Sequence, residues 1–136
     1  MSDNDKLHNI SILIIDDSKL TREILKAILK SFGIQDIYEA GDGLAGFEVI
    51  SRHRIDLIIC DVFMAPMHGL KFLEMIRAGE TPPEISCKIP CNIPLIMITG
   101  KTMKSIADNP AASWDAILDK PIQPDLLLRE ICRLFQ

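Results

Sequence analysis

The sequence has no basic excess: Lys and Arg number 15 against 19 Asp and Glu in 136 residues, a net charge of −4. Non-specific nucleic-acid binding needs a basic patch to neutralise phosphates, so the balance argues against it. No apolar stretch approaches the length that spans a bilayer. The start, Met1 to Asn9, is polar and mixed in charge, unlike a secretory leader. These absences predict a soluble cytoplasmic protein with no nucleic-acid or membrane partner. Repeats and low-complexity tracts are missing as well. Cysteines are few, at four. Cys60 and Cys132 sit in apolar runs and read as small core residues. Cys87 and Cys91 share a proline-rich stretch, where a metal or a disulfide is conceivable. No second Cys or His pair with zinc spacing accompanies them, and a reducing cytosol disfavours the disulfide.

What is present suits one compact domain: 48% of the residues are hydrophobic, enough to bury a core and to exclude disorder. Short runs at Ile12 to Ile15, Ile37 to Ala40, Leu57 to Cys60, Leu95 to Thr99 and Ala116 to Leu118 read as strands; the β-branched run Ile12 to Ile15, which does not alternate, reads as buried on both faces, and Leu57 to Cys60 as a buried strand. Helical patterns separate them. Ser18 caps a helix with Ile24, Leu25, Ile28 and Leu29 on its apolar face, and Gly33 ends it. Asp42 caps a second through Phe47, Val49 and Ile50. Leu70, Leu73 and Ile76 mark a third. Met103 to Asp108 reads as a short helix stopped by Asn109-Pro110. Pro124 starts a last one through Leu127, Leu128, Ile131 and Leu134. Five βα units predict a parallel sheet covered on both faces, with right-handed crossovers. Ala78 to Pro94 holds four prolines and no clear period, and reads as a long loop.

In such sheets ligands bind at the carboxyl ends of the strands, where strand order reverses. The predicted strand ends carry Asp16-Asp17, Asp61, Thr99 and Asp119-Lys120-Pro121. Each alone reads as a cap or a turn residue. Together they gather carboxylates, a hydroxyl and an ammonium on one edge. Two carboxylates about 5 Å apart repel by roughly 3 kcal/mol at an effective dielectric of about 20, so the cluster calls for a cation. Mg²⁺ prefers hard oxygen ligands and keeps room for a phosphate oxygen. A carboxylate is also a competent nucleophile towards phosphorus, and phosphoryl transfer asks the protein mainly for positioning and charge neutralisation.

On these residues the chain resembles, from about Ile10 to Phe135, the receiver domain of bacterial response regulators, the family of the chemotaxis flagellar-switch protein. The matching positions are Asp16-Asp17, Asp61, Met64, Gly69, Thr99-Gly100 and Lys120-Pro121, with an interval from Asp17 to Asp61 about that of the family. The resemblance implies a (βα)5 flavodoxin-like, three-layer α/β/α fold with strand order 2-1-3-4-5, preceded by a tail over residues 1–9 and filling 10–136. It implies that Asp61 is phosphorylated, that Asp16, Asp17, Asp61 and the backbone carbonyl of Phe63 hold Mg²⁺, and that Thr99 and Lys120 each bond a phosphoryl oxygen. A cis bond before Pro121 is typical of such domains. The implied function is a two-component signalling module rather than an enzyme, acting only on its own Asp61. The donor is a histidine kinase or a histidine phosphotransfer protein. With no output domain in the chain, the effect is expected to pass to a separate protein target, with a homodimer also open.

The chain departs from the family in several places. The Met-Pro-x-Met turn reads Met64-Ala65-Pro66-Met67, and His68 stands where Asp is common. Phe63 and Lys101 occupy positions that tune phosphoryl lifetime. Ile117 replaces the usual switching Tyr or Phe, so switching is expected to run through Thr99. Ser113-Trp114 replaces Gly-Ala, Pro110 breaks the fourth helix, and the Ala78 to Pro94 loop is longer than usual. A haloacid-dehalogenase-type phosphatase would carry its nucleophile on the first strand with a second Asp two residues later, whereas Asp16 and Asp17 are adjacent. A nucleotide-binding domain would need a glycine-rich turn where Asp17-Ser18-Lys19-Leu20 stands. A receiver working without phosphorylation is disfavoured by the intact acidic set.

Overall fold

The computed structural model describes residues 7–64, 67–100 and 113–136. The helix expected at Met103 to Asp108 lies outside those residues, as do Ala65, Pro66, Lys101 and Pro110. Among the described residues the order is β1 (Ser11–Ile15), α1 (Lys19–Ser31), β2 (Asp36–Ala40), α2 (Gly43–Arg52), β3 (Leu57–Asp61), α3 (Gly69–Ala78), β4 (Leu95–Thr99), β5 (Ala116–Asp119) and α4 (Pro124–Leu134). The five strands form one parallel sheet in the order β2-β1-β3-β4-β5. No helix among the described residues is long and apolar enough to cross a membrane.

The unbroken apolar runs have a direct cause. Leu13, Ile15, Ile58, Cys60 and Met97 face a layer made by α2, α3 and the long loop. Their neighbours Ile12, Ile14, Leu57, Ile59 and Ile96 face a layer made by α1 and α4. With both faces covered, every strand position in β1, β3 and β4 is buried and alternation disappears. Phe47 and Phe72 meet edge to face between α2 and α3, with ring centroids 4.8 Å apart. Leu7, in the expected tail, is also buried, in the α1/α4 layer.

The caps follow local chemistry. The Ser18 hydroxyl accepts from the Thr21 N–H, and the Asp42 carboxylate accepts from the Ala45 N–H. Gly33 takes φ 90° after α1. The N–H groups of Gly33 and Ile34 reach back to the carbonyls of Lys30 and Leu29, a Schellman ending that glycine makes accessible. One part of the expected α1 face differs. Leu25 and Leu29 are buried, but Ile24 is half exposed with Leu20 beside the solvent. Leu25 and Leu29, with Ile28 partly buried beside them, pack into the core, and Ile24 instead borders an open groove with Thr21, Pro121 and Ile122.

The loop after α3 is irregular, as expected, yet it is packed. Ile85, Ile89 and Ile93 are buried in the layer they share with α2 and α3. Arg77 ties the loop down: its guanidinium donates to the carbonyls of Cys91, Ile93 and Ser113 and pairs with Asp115 at 3.1 Å. Asp115 in turn accepts the Leu95 N–H, so loop, β4 and the entry to β5 share one hub.

Candidate functional site

The strand order reverses between β1 and β3, and the crevice at that point holds the predicted acidic residues. Asp16 follows β1 and is fully buried; Asp17 beside it is exposed. Asp61 is the last residue of β3 and is buried. Carboxylate oxygens of all three lie within 4.8 Å of one another. Lys120, just past β5, reaches in with Nζ 3.2 Å from Asp16 and 3.5 Å from Asp61. Thr99, the last residue of β4, is buried, and its carbonyl accepts the Lys120 N–H. The Lys120–Pro121 bond is cis. The structure thus brings Asp16, Asp17, Asp61, Thr99 and Lys120 to one edge. Ile117 lies elsewhere: it pairs with Met97 within the sheet and packs, half buried, against the α2/α3 layer.

Local bonds fix each group. The second oxygen of Asp16 accepts the Ser18 N–H at 2.8 Å, which turns the chain into α1. Asp61 accepts the N–H of Phe63 at 3.3 Å. Burial, then the neighbouring Asp16 charge, pushes the Asp61 carboxyl above its ordinary range, while Lys120 and the Phe63 N–H pull the other way. Buried Cys60, next in the strand, is pushed up by desolvation and is inert as a nucleophile. Three carboxylates against one lysine leave two negative charges in excess, and every donor is a hard oxygen, a set that fits a divalent cation such as Mg²⁺.

Two structural supports frame the site, of which Arg22 escaped the sequence reading and Gly69 was named only as a matching position. Arg22 donates to the Asp16 carbonyl at 2.6 Å and pairs with Glu39, clamping the acidic turn from α1. An Arg on a helix reads as a solvated charge, and no motif marks it. Gly69 abuts the other side: a Cβ there would lie 2.2 Å from the Asp61 carbonyl oxygen. Glycine is required for close approach rather than for an unusual φ, because α3 begins directly against the end of β3.

A doubly wound parallel sheet with a cation-ready acidic pocket at its switch point and a lysine from the last strand defines a phospho-acceptor class of α/β domain. The chain belongs to the response regulator receiver domain family, whose model matches residues 12–132. It is similar to chemotaxis protein CheY-3 of Vibrio cholerae, with 29% identity over 129 residues, covering 94% of this chain and 93% of that one. Among solved structures it is similar to chemotaxis protein CheY4 of Vibrio cholerae, with 25% identity and a TM-score of 0.76 over 92% of this chain and 98% of the other. A response regulator receiver protein from Pseudomonas putida gives 28% identity and a TM-score of 0.77, covering 91% and 96%. The fold expected from the resemblance, including the order 2-1-3-4-5, is the one observed. Receiver domains of this kind are phospho-acceptors that bind Mg²⁺ at an acidic pocket and work with histidine kinases and downstream effectors.

Proposed function

We propose that Asp61 is the phospho-acceptor of a two-component signalling module. The observation that carries this reading is the convergence of Asp16 and Asp17 from the end of β1, and of Lys120 from the end of β5, on the Asp61 carboxylate at the end of β3. The donor is a phosphohistidine of a kinase or phosphotransfer protein. An Asp61 oxygen attacks phosphorus, the new O–P bond forms as the P–N bond to the donor imidazole breaks, and the imidazole leaves with the electron pair. Asp16, Asp17, Asp61 and the Phe63 carbonyl would hold Mg²⁺, which offsets charge on the transferring group when bound. Lys120 supplies a second positive charge to the phosphoryl oxygens, within a pocket that Ser18, Arg22 and Gly69 keep in shape.

The response is a population shift read by a separate protein. Ile117 is β-branched and already packed, with no ring to swing. Thr99 carries the hydroxyl that bonds a phosphoryl oxygen only when Asp61 is modified. Acetyl phosphate and Mg²⁺ should add one phosphoryl mass to the wild type and none to Asp61→Asn. Equal labelling of that variant would place the acceptor elsewhere.

A further inference from the structure

We propose that His68 is a positioning residue for the Phe63 ring and thereby sets how long a phosphoryl group persists on Asp61. The inference rests on Asp61 being the acceptor. Phe63 follows Asp61 by two residues, and its N–H donates to the Asp61 carboxylate, so its side chain leaves the backbone beside the reacting oxygen. The Phe63 ring is 37% exposed, with the edge of one ring meeting the face of another: the Phe63 and His68 centroids are 5.2 Å apart at 89°.

His68 is itself held at both ends. Its Nδ1 accepts the Leu70 N–H at 3.2 Å, capping α3. The next residue, Gly69, donates to the Val62 carbonyl at 2.8 Å and is pressed against the Asp61 carbonyl. The imidazole is therefore fixed relative to the very residue that carries the phosphoryl group. Histidine is not among the preferred helix caps; Asp, Asn, Ser or Thr would serve α3 at least as well. What histidine adds is a ring, which meets the Phe63 ring.

Loss of the phosphoryl group requires a water oxygen to attack phosphorus while the O–P bond to Asp61 breaks; the carboxylate leaves with the electron pair and the water proton goes to the released phosphate. A Phe63 ring held in one rotamer narrows the water's approach. A ring free to turn leaves it open for part of the time.

The test follows the decay of wild-type and variant protein labelled with acetyl phosphate and Mg²⁺, after donor removal, alongside thermal midpoints. His68→Asn keeps a capping acceptor and deletes the ring; it should lose phosphate about two- to tenfold faster, the factor an edge-to-face contact carries, with its midpoint little changed. His68→Phe deletes the cap and keeps a ring; its midpoint should fall while its lifetime stays near that of wild type. Decay in His68→Asn at the wild-type rate overturns the inference, as does a lifetime in His68→Phe that shortens as much as in His68→Asn. Failure of wild type itself to take phosphate would instead sink the assignment of Asp61, and this inference with it.

Discussion

Neutralising Asp61 should stabilise the metal-free protein, although the residue sits at the heart of the site. One carboxylate oxygen from each of Asp16, Asp17 and Asp61 lies within 4.8 Å of the other two, so each pair repels by about 3.5 kcal/mol at an effective dielectric of about 20. On the same scale the 3.5 Å approach of Lys120 to Asp61 returns about 5 kcal/mol. Asp17 is exposed and screened, which lowers its share. Repulsion and attraction nearly cancel, and burial then tips the balance against the charged form, in line with the raised Asp61 carboxyl. Asp61→Asn should therefore gain about 1–2 kcal/mol at pH 7 in EDTA, a rise of about 3–8 °C in midpoint for a domain of this size.

The pH dependence has a definite sign. A carboxyl held above its unfolded value contributes stability below that value and loses it as pH rises through the folded one. The advantage of Asp61→Asn should be full above the raised folded value, shrink as the solution is acidified through it, and be gone below the ordinary aspartate value. Excess Mg²⁺ should invert the order, because ligand at about 100 times its Kd adds about 2.7 kcal/mol to whichever form binds it. Thermal unfolding followed by circular dichroism, in EDTA and in Mg²⁺ across pH, reads all three. A variant less stable than wild type in EDTA at pH 7, or equal Mg²⁺ shifts in both proteins, would refute the charge argument.

Three further outcomes are expected. Gly69→Ala drives a methyl group into the Asp61 carbonyl and the Val62 Cα, so it should cost about 1–3 kcal/mol in denaturant titration and slow labelling of Asp61. Arg77→Met removes the donors shared by Cys91, Ile93, Ser113 and Asp115; amide exchange should quicken at 91–95 and 113–115 first, and uniform exchange would contradict a local hub. Trp114 fluorescence should change on phosphorylation in wild type and in Ile117→Val, while Thr99→Ala should still be phosphorylated yet lose most of that change. One charge-assisted bond is worth about 1.5–3 kcal/mol against the roughly 5.5 kcal/mol of a full 1:99 to 99:1 shift, so the wild-type response should be graded unless Lys120 adds the remainder.

The amino-acid sequence by itself determined the features that arise within a few residues. Unbroken β-branched runs mark strands that lose water on both faces, as Ile12 to Ile15 and Leu57 to Cys60 do. Ser18 and Asp42 start helices because their side chains accept from the first-turn backbone, and Gly33 ends one because it lacks a side chain. Asp16, Asp17, Asp61, Thr99 and Lys120 were legible as one site because a parallel sheet carries every strand end to the same edge. Only the tertiary structure decided what depends on distance through space. Lys120 lies 104 residues from Asp16 in the chain, yet the sheet places its ammonium between two carboxylates. Leu25 and Leu29 reach the core while Ile24 meets solvent, because the neighbouring helix and sheet, not the helix's own periodicity, set how wide a stripe is covered. Arg22 on the Asp16 carbonyl, Arg77 under the long loop and the His68 ring against Phe63 join segments that no local pattern links. An arginine or a histidine satisfies its donors and acceptors wherever the packed chain brings it a partner, and that partner is fixed by the fold.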